Sequence, residues 1–177
     1  MKLRVLVVDD SILFRRAVAD ALAALPDVEV VGSAPNGKIA LQKARELRPD
    51  LITLDMEMPE LGGLEVLDSL RGSGDPAAVI VLSSLTSRGG KLTMQALEKG
   101  AFDFITKPDA PGAEESRKAL RLELGPRLRA LAHRLEVRAI LRQKPAPTVT
   151  GEQTPPEPAT RFMPAGLDSV EDRKSVV

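Results

Sequence analysis

The stretch Leu3-Arg4-Val5-Leu6-Val7-Val8-Asp9-Asp10-Ser11 joins a short, branched, apolar run to two adjacent carboxylates. Apolar side chains on successive positions need cover on both faces, so Leu3 to Val8 reads as a strand of a parallel sheet. Ser11 then offers an N-cap, and Phe14, Val18, Ala21, Leu22 and Leu25 recur at helical spacing until Pro26. The alternation repeats along the chain. Strands are expected at Val28–Val31, Leu51–Leu54, Val79–Leu82 and Phe102–Thr106. Between them, helices are expected through Ala40–Leu47 (stopped at Pro49), Leu64–Leu70 and Leu92–Lys99, with Gly100 as a C-terminal stop. Alternating strands and helices imply right-handed crossovers and a parallel sheet covered on both faces. The expected fold class is therefore α/β and flavodoxin-like, a five-stranded parallel sheet with helices on both faces.

Composition narrows the chemistry. The chain has 177 residues, with 43% hydrophobic and 28% charged residues, an ordinary globular balance. It has four Phe and neither Trp nor Tyr, too few aromatics for a base-stacking platform. The 25 basic and 25 acidic residues cancel, which argues against a chain-wide grip on nucleic acid or anionic membrane. Without Cys there are no disulfides, thiolate metal sites or thiol nucleophiles, and one His excludes a multi-histidine centre. The apolar run before Asp9 is too short for a secretory signal, and no stretch approaches a membrane span, so a cytoplasmic location is expected.

In such folds ligands bind beyond the carboxyl ends of the strands. The polar residues fall there: Asp9 and Asp10 after the first strand, Asp55 after the third, Ser83 and Ser84 after the fourth, Lys107 after the fifth. Each alone reads blandly, as a solvated loop, a strand-end hydroxyl or a surface charge. Together they converge if the first and third strands are neighbours, as the flavodoxin-like order requires. Three carboxylates in one crevice repel, and protonation or a cation must relieve them. An oxygen-only donor set favours a hard cation, Mg²⁺ first. A carboxylate nucleophile beside Mg²⁺, a lysine ammonium and a hydroxyl is equipped for phosphoryl transfer onto Asp. Gly89-Gly90-Lys91 is not a phosphate loop, because Leu85 and Leu92 stand where that motif needs Gly and Ser or Thr.

Val8-Asp9-Asp10-Ser11, Leu54-Asp55-Met56-Glu57-Met58-Pro59, Ser83-Ser84 and Thr106-Lys107-Pro108, in that order and each at a strand end, resemble the receiver domain of two-component response regulators. The resemblance covers about Lys2 to Leu124. It implies that Asp55 is the phosphoacceptor and that Asp10, Asp55 and the backbone carbonyl of Glu57 ligate Mg²⁺, with Asp9 assisting through water. It also implies that Ser83 and Lys107 contact the phosphoryl oxygens. Phe104 has two readings, core packing by a strand aromatic or, by resemblance, the family's switch aromatic, with Ser83 as the other switch residue. A narrower resemblance, in Asp55-Met-Glu-Met-Pro59, Ser83-Ser84-Leu85-Thr86 and Ala96 to Pro108, is to the receivers of chemotaxis protein-glutamate methylesterases (CheB). The implied kinase is a CheA-type histidine kinase, and chemoreceptors or an esterase effector are further candidate partners. One loop position departs from the family, with Gly62 where an acid usually precedes Gly63.

An esterase of that family needs a Ser in a Ser-Thr-Gly-Gly context, a His base and a later Asp. No such context occurs, and His133 lies in a basic helical stretch. The expected division is a receiver over residues 1–124, a basic helical extension over 125–144 and a Pro-rich, disordered tail over 145–177. Along 114–143 a stripe of Leu120, Leu124, Leu128, Leu131 and Leu135 is interrupted at Gly125-Pro126, where the helix either kinks or restarts. Residues 117–144 hold nine Lys or Arg against Glu123 and Glu136. Two rivals follow: a methylesterase acting on chemoreceptor glutamates, and a DNA-binding regulator using that basic stretch. The missing nucleophile context disfavours the first, and the helix's own Leu stripe disfavours the second.

Overall fold

A computed structural model describes residues 2–84, 86–109 and 112–143. The elements are β1 (Leu3–Val8), α1 (Ile12–Ala23), β2 (Val28–Ala34), α2 (Gly37–Leu47), β3 (Leu51–Asp55), α3 (Gly63–Gly72), β4 (Ala78–Ser83), α4 (Ser87–Glu98), β5 (Asp103–Thr106) and α5 (Ala113–Gln143). All five strands are parallel, in the order β2-β1-β3-β4-β5. The flavodoxin-like expectation is met, with β1 beside β3. The tail expected over 145–177 lies outside the described residues.

Successive side chains of a strand point to opposite faces, so each strand feeds two cores. Leu6, Val8, Ile52, Leu54, Val79 and Val81 pack with Ala40 and Ala44 of α2, Val66, Leu67 and Leu70 of α3, and Ala96 of α4. Val5, Val7, Leu51, Ile80, Leu82 and Ile105 pack with Val18 and Leu22 of α1 and Leu120, Leu124, Leu128 and Leu131 of α5. Full burial of each of these Val, Leu and Ile side chains is worth about 1.5–3 kcal/mol. Side-chain caps start α1 and α2: Ser11 Oγ accepts from Phe14 N at 3.3 Å, and Asn36 Oδ1 from Ile39 N at 2.9 Å.

Several element bounds differ from their sequence expectation, α2 for one beginning at Gly37. β2 continues past Val31 to Ala34, because Gly32, Ser33 and Ala34 pair with Leu6, Val7 and Val8 although two of them are not apolar. α4 begins at Ser87, five residues before Leu92, because Thr86 caps it through Gly89 N at 3.0 Å. α5 runs as one 31-residue helix with Pro126 inside it, so the interruption at Gly125-Pro126 is absorbed without a second helix start.

Candidate functional site

Register places the acids. Val8 pairs with Leu54, so the residues following β1 emerge beside the end of β3. Asp55 pairs with Leu82, and Ser83 pairs with Thr106. Carboxylate oxygens of Asp9, Asp10 and Asp55 consequently lie within 4.8 Å of one another. Asp9 and Asp55 are buried, at 0% and 1% exposure, while Asp10 faces solvent.

Lys107 answers two of the three charges. Its Nζ lies 2.9 Å from Asp9 Oδ2 and 2.8 Å from Asp55 Oδ2. Burial alone would lower the lysine pKa, but hydrogen bonds to Asp55 and Asp9 outweigh it and hold the ammonium above its ordinary value. Burial raises the Asp9 carboxyl, and the Lys107 hydrogen bond only partly offsets this. The other carboxylate oxygens accept from backbone: Asp9 Oδ1 from Ser11 N at 2.9 Å, and Asp55 Oδ1 from Glu57 N at 3.1 Å.

Two close approaches shape the crevice. A Cβ on Gly63 would come within 2.5 Å of the Asp55 carbonyl oxygen, so only glycine lets α3 start against the end of β3. A Cβ on Gly89 would come within 2.5 Å of the Ser84 carbonyl oxygen, and the same holds for α4 against β4.

The sequence-expected residues divide accordingly. Asp9, Asp10, Asp55 and Lys107 meet. Glu57 lies at the rim, its N–H on Asp55. Ser83 ends β4 at 4% exposure, and its carbonyl accepts from Lys107 N at 2.8 Å, which ties β4 to the lysine. Phe104 is outside the crevice on the edge strand β5 and 39% exposed, which does not fit the core-packing reading. His133 is exposed on α5.

Sequence reasoning missed several partners. Phe14 places its ring centroid 4.7 Å from Lys107 Nζ, covering the ammonium in a cation–π contact. Arg15 Nη1 donates to the Asp9 carbonyl at 2.6 Å. Ser84 Oγ donates to Glu57 Oε2. Phe14 and Arg15 share the turn after Asp9-Asp10, a proximity the sequence signals. The Ser84–Glu57 contact spans two loops and carries no local signal.

The residues fit a divalent metal ion. Three carboxylates converge against one ammonium, the donors are all oxygen, and one carboxylate is open to solvent.

With this geometry in hand, comparison with known proteins gives a consistent family. The response regulator receiver domain model matches residues 5–117. The "Protein-glutamate methylesterase/protein-glutamine glutaminase" of Desulfotalea psychrophila is 53% identical over 118 residues, covering 67% of this chain and 32% of its own. That of Nocardioides sp. is 47% identical over 133 residues, covering 75% of this chain and 36% of its own. The chain thus spans about a third of the length of these curated relatives. The crystal structure of the response regulator domain of Thermotoga maritima CheB superposes with TM-score 0.66 at 42% identity, covering 75% of this chain and 98% of that one. The signal receiver domain of NarL from Mycobacterium tuberculosis gives TM-score 0.62 at 31% identity, covering 74% and 97%. A crevice of three strand-end acids, two of them bridged by a strand-end lysine, on a 2-1-3-4-5 parallel sheet matched over residues 5–117, means that this chain belongs to the response regulator receiver family and resembles the receivers of CheB methylesterases.

Proposed function

We propose that the chain is a chemotaxis-type response regulator that accepts a phosphoryl group on Asp55 from a CheA-type histidine kinase in a Mg²⁺-dependent reaction. The observation that carries this reading is the Lys107 ammonium between two buried carboxylates, with a third carboxylate within 4.8 Å. An Asp55 carboxylate oxygen attacks phosphorus while the bond from phosphorus to the donor breaks, and the electron pair leaves with the donor group. The Glu57 N–H on Asp55 Oδ1 fixes the carboxylate's orientation, and Lys107 supplies positive charge beside the incoming oxygens. Asp10, Asp55 and the Glu57 carbonyl would hold the metal, with Asp9 assisting through water. Bound Mg²⁺ would contribute charge stabilisation of the transferring phosphoryl group.

In this reading Ser83 contacts the phosphoryl oxygens, and Ser83 with Phe104 biases a two-state surface formed by α4, β5 and α5. Residues 1–124 form the receiver, 125–144 a basic extension and 145–177 a tail, and the protein works in the cytoplasm. Among the described residues, no helix is long and apolar enough to cross a membrane. Output runs through a partner, a chemoreceptor or an esterase effector. A second reading, that the chain is the receiver part of a CheB-type methylesterase, is favoured by the 53% identity to a protein of that name.

The test of the metal-dependent crevice is a Mg²⁺ titration followed by NMR. Asp10→Ala should weaken Mg²⁺ binding and slow phosphate uptake without unfolding the protein, because Asp10 is exposed and its loss relieves like-charge repulsion. Equal Mg²⁺ affinity in wild type and Asp10→Ala would reject the role of Asp10.

A further inference from the structure

Between the crevice and α4 runs a line of hydrogen bonds that the phosphoacceptor reading does not use. Glu57 N donates to Asp55 Oδ1 at 3.1 Å. The Glu57 carboxylate accepts from Ser84 Oγ. Ser84 Oγ lies 2.9 Å from Thr86 Oγ1, and Thr86 Oγ1 accepts from Gly89 N at 3.0 Å, capping α4. One further bond, from Thr93 Oγ1 to the Gly89 carbonyl at 2.8 Å, continues the line into the second turn.

We infer that Glu57, Ser84 and Thr86 form a positioning relay that joins the state of the Asp55 site to the first turn of α4. The inference rests on the reading of Asp55 as phosphoacceptor and adds to it the route by which α4 senses that site.

Three features support a relay over a set of incidental loop contacts. First, the line is continuous from Asp55 to a helix N-cap, and a lost cap costs a helix about 1 kcal/mol. Second, the packing leaves little slack: a Cβ on Gly89 would fall 2.5 Å from the Ser84 carbonyl oxygen and 2.8 Å from Ser84 Oγ. A shift of Ser84 therefore presses directly on the backbone of α4. Third, Ser84 follows Ser83, the residue assigned to the phosphoryl oxygens, so any movement of Ser83 toward Asp55 pulls the relay's central hydroxyl. Glu57 pulls from the other side, because its N–H and its carboxylate face Asp55 and Ser84 respectively. Coupling of this kind is reciprocal: what the Asp55 site does to the α4 cap, the cap does to the Asp55 site.

The experiment is residue-resolved amide hydrogen exchange by NMR on the full chain, with and without acetyl phosphate and Mg²⁺, phosphate occupancy being read by mass in the same samples. Phosphorylation should change Gly89 exchange by about two- to tenfold, the range that one net hydrogen bond supplies. Ser84→Ala should speed Gly89 exchange by a similar factor before any phosphate is added, and should remove its response to phosphate at matched occupancy. Glu57→Gln, which keeps an acceptor oxygen, should retain the response, and Glu57→Ala should lose it. A merely structural Ser84 would alter stability without separating these two Glu57 variants. Wild-type-like Gly89 exchange in unphosphorylated Ser84→Ala would overturn the relay, as would a phosphate response of Gly89 that survives in that variant. Absence of phosphate uptake by the wild type would instead remove the Asp55 reading, leaving the unphosphorylated comparison to decide the relay's existence.

Discussion

Lys107 is the residue on which the crevice balances. Its ammonium is the shared partner of Asp9 and Asp55, both nearly inaccessible. Removing one partner of a buried pair strands the other charge, at a cost of several kcal/mol. Lys107→Met should therefore destabilise the protein by about 2–4 kcal/mol in urea unfolding with chelator present, and added Mg²⁺ should recover part of the loss. An equal loss with and without Mg²⁺ would contradict the crevice as a cation site. Thr53 is the opposite case. It is fully buried on β3 between Val7 and Ile80, and its hydroxyl has no hydrogen-bond partner. A buried unpaired hydroxyl costs free energy that a methyl group does not, so Thr53→Val should stabilise by about 1–2 kcal/mol in the same measurement. A loss of stability would show that Thr53 has a partner after all. Asp9, Asp10, Asp55 and Lys107 were legible in the sequence because each stands at the end of an expected strand, and strand ends converge once the sheet order is known. Thr53 was not, since an apolar run tolerates one Thr without revealing whether its hydroxyl is paired. Nor was Ser84 with Glu57, 27 positions apart in sequence and brought together only by the pairing of β3 with β4.

At the scale of elements, α5 makes the clearest physical demand. Leu120, Leu124, Leu128 and Leu131 anchor it against α1 and the sheet, and this packing carries the helix through Pro126. A proline inside a helix forfeits one backbone hydrogen bond and crowds the preceding turn. Pro126 is exposed, so its ring contributes little packing in return. Pro126→Ala should raise stability by about 1–3 kcal/mol and leave helical circular dichroism equal or stronger. A drop in stability would mean that the proline fixes a bend on which the α5 contacts depend. Element existence followed from the alternation of apolar runs, but the bounds did not always. β2 extends through Gly32 and Ser33 because the ladder with β1 is a backbone property that side-chain pattern does not report. The α4 start was hidden because the turn before Leu92 carries no apolar spacing, and the glycine at 89 lets the helix approach Ser84. Phe104 shows the same limit: its position on β5 is legible, but its exposure depends on β5 lying at the sheet edge.

The described residues between 2 and 143 form a sheet with one core on each face and its chemistry gathered at the carboxyl ends of the strands. The two cores bind α1 and α5 to one face and α2, α3 and α4 to the other, so the carboxyl-terminal edge is the place where loops from both layers meet. That arrangement lets a rigid scaffold carry a crevice with three acids whose mutual repulsion would not persist in a flexible chain. The proposed function turns on Asp55 as the nucleophile of this crevice. Intact-mass measurement after incubation with acetyl phosphate and Mg²⁺ tests it most directly, run side by side on wild type and Asp55→Asn. One added phosphoryl mass is expected on the wild type, lost when Mg²⁺ is chelated before the donor is added, and none on Asp55→Asn. Equal phosphate uptake by Asp55→Asn, or none by the wild type, would contradict it.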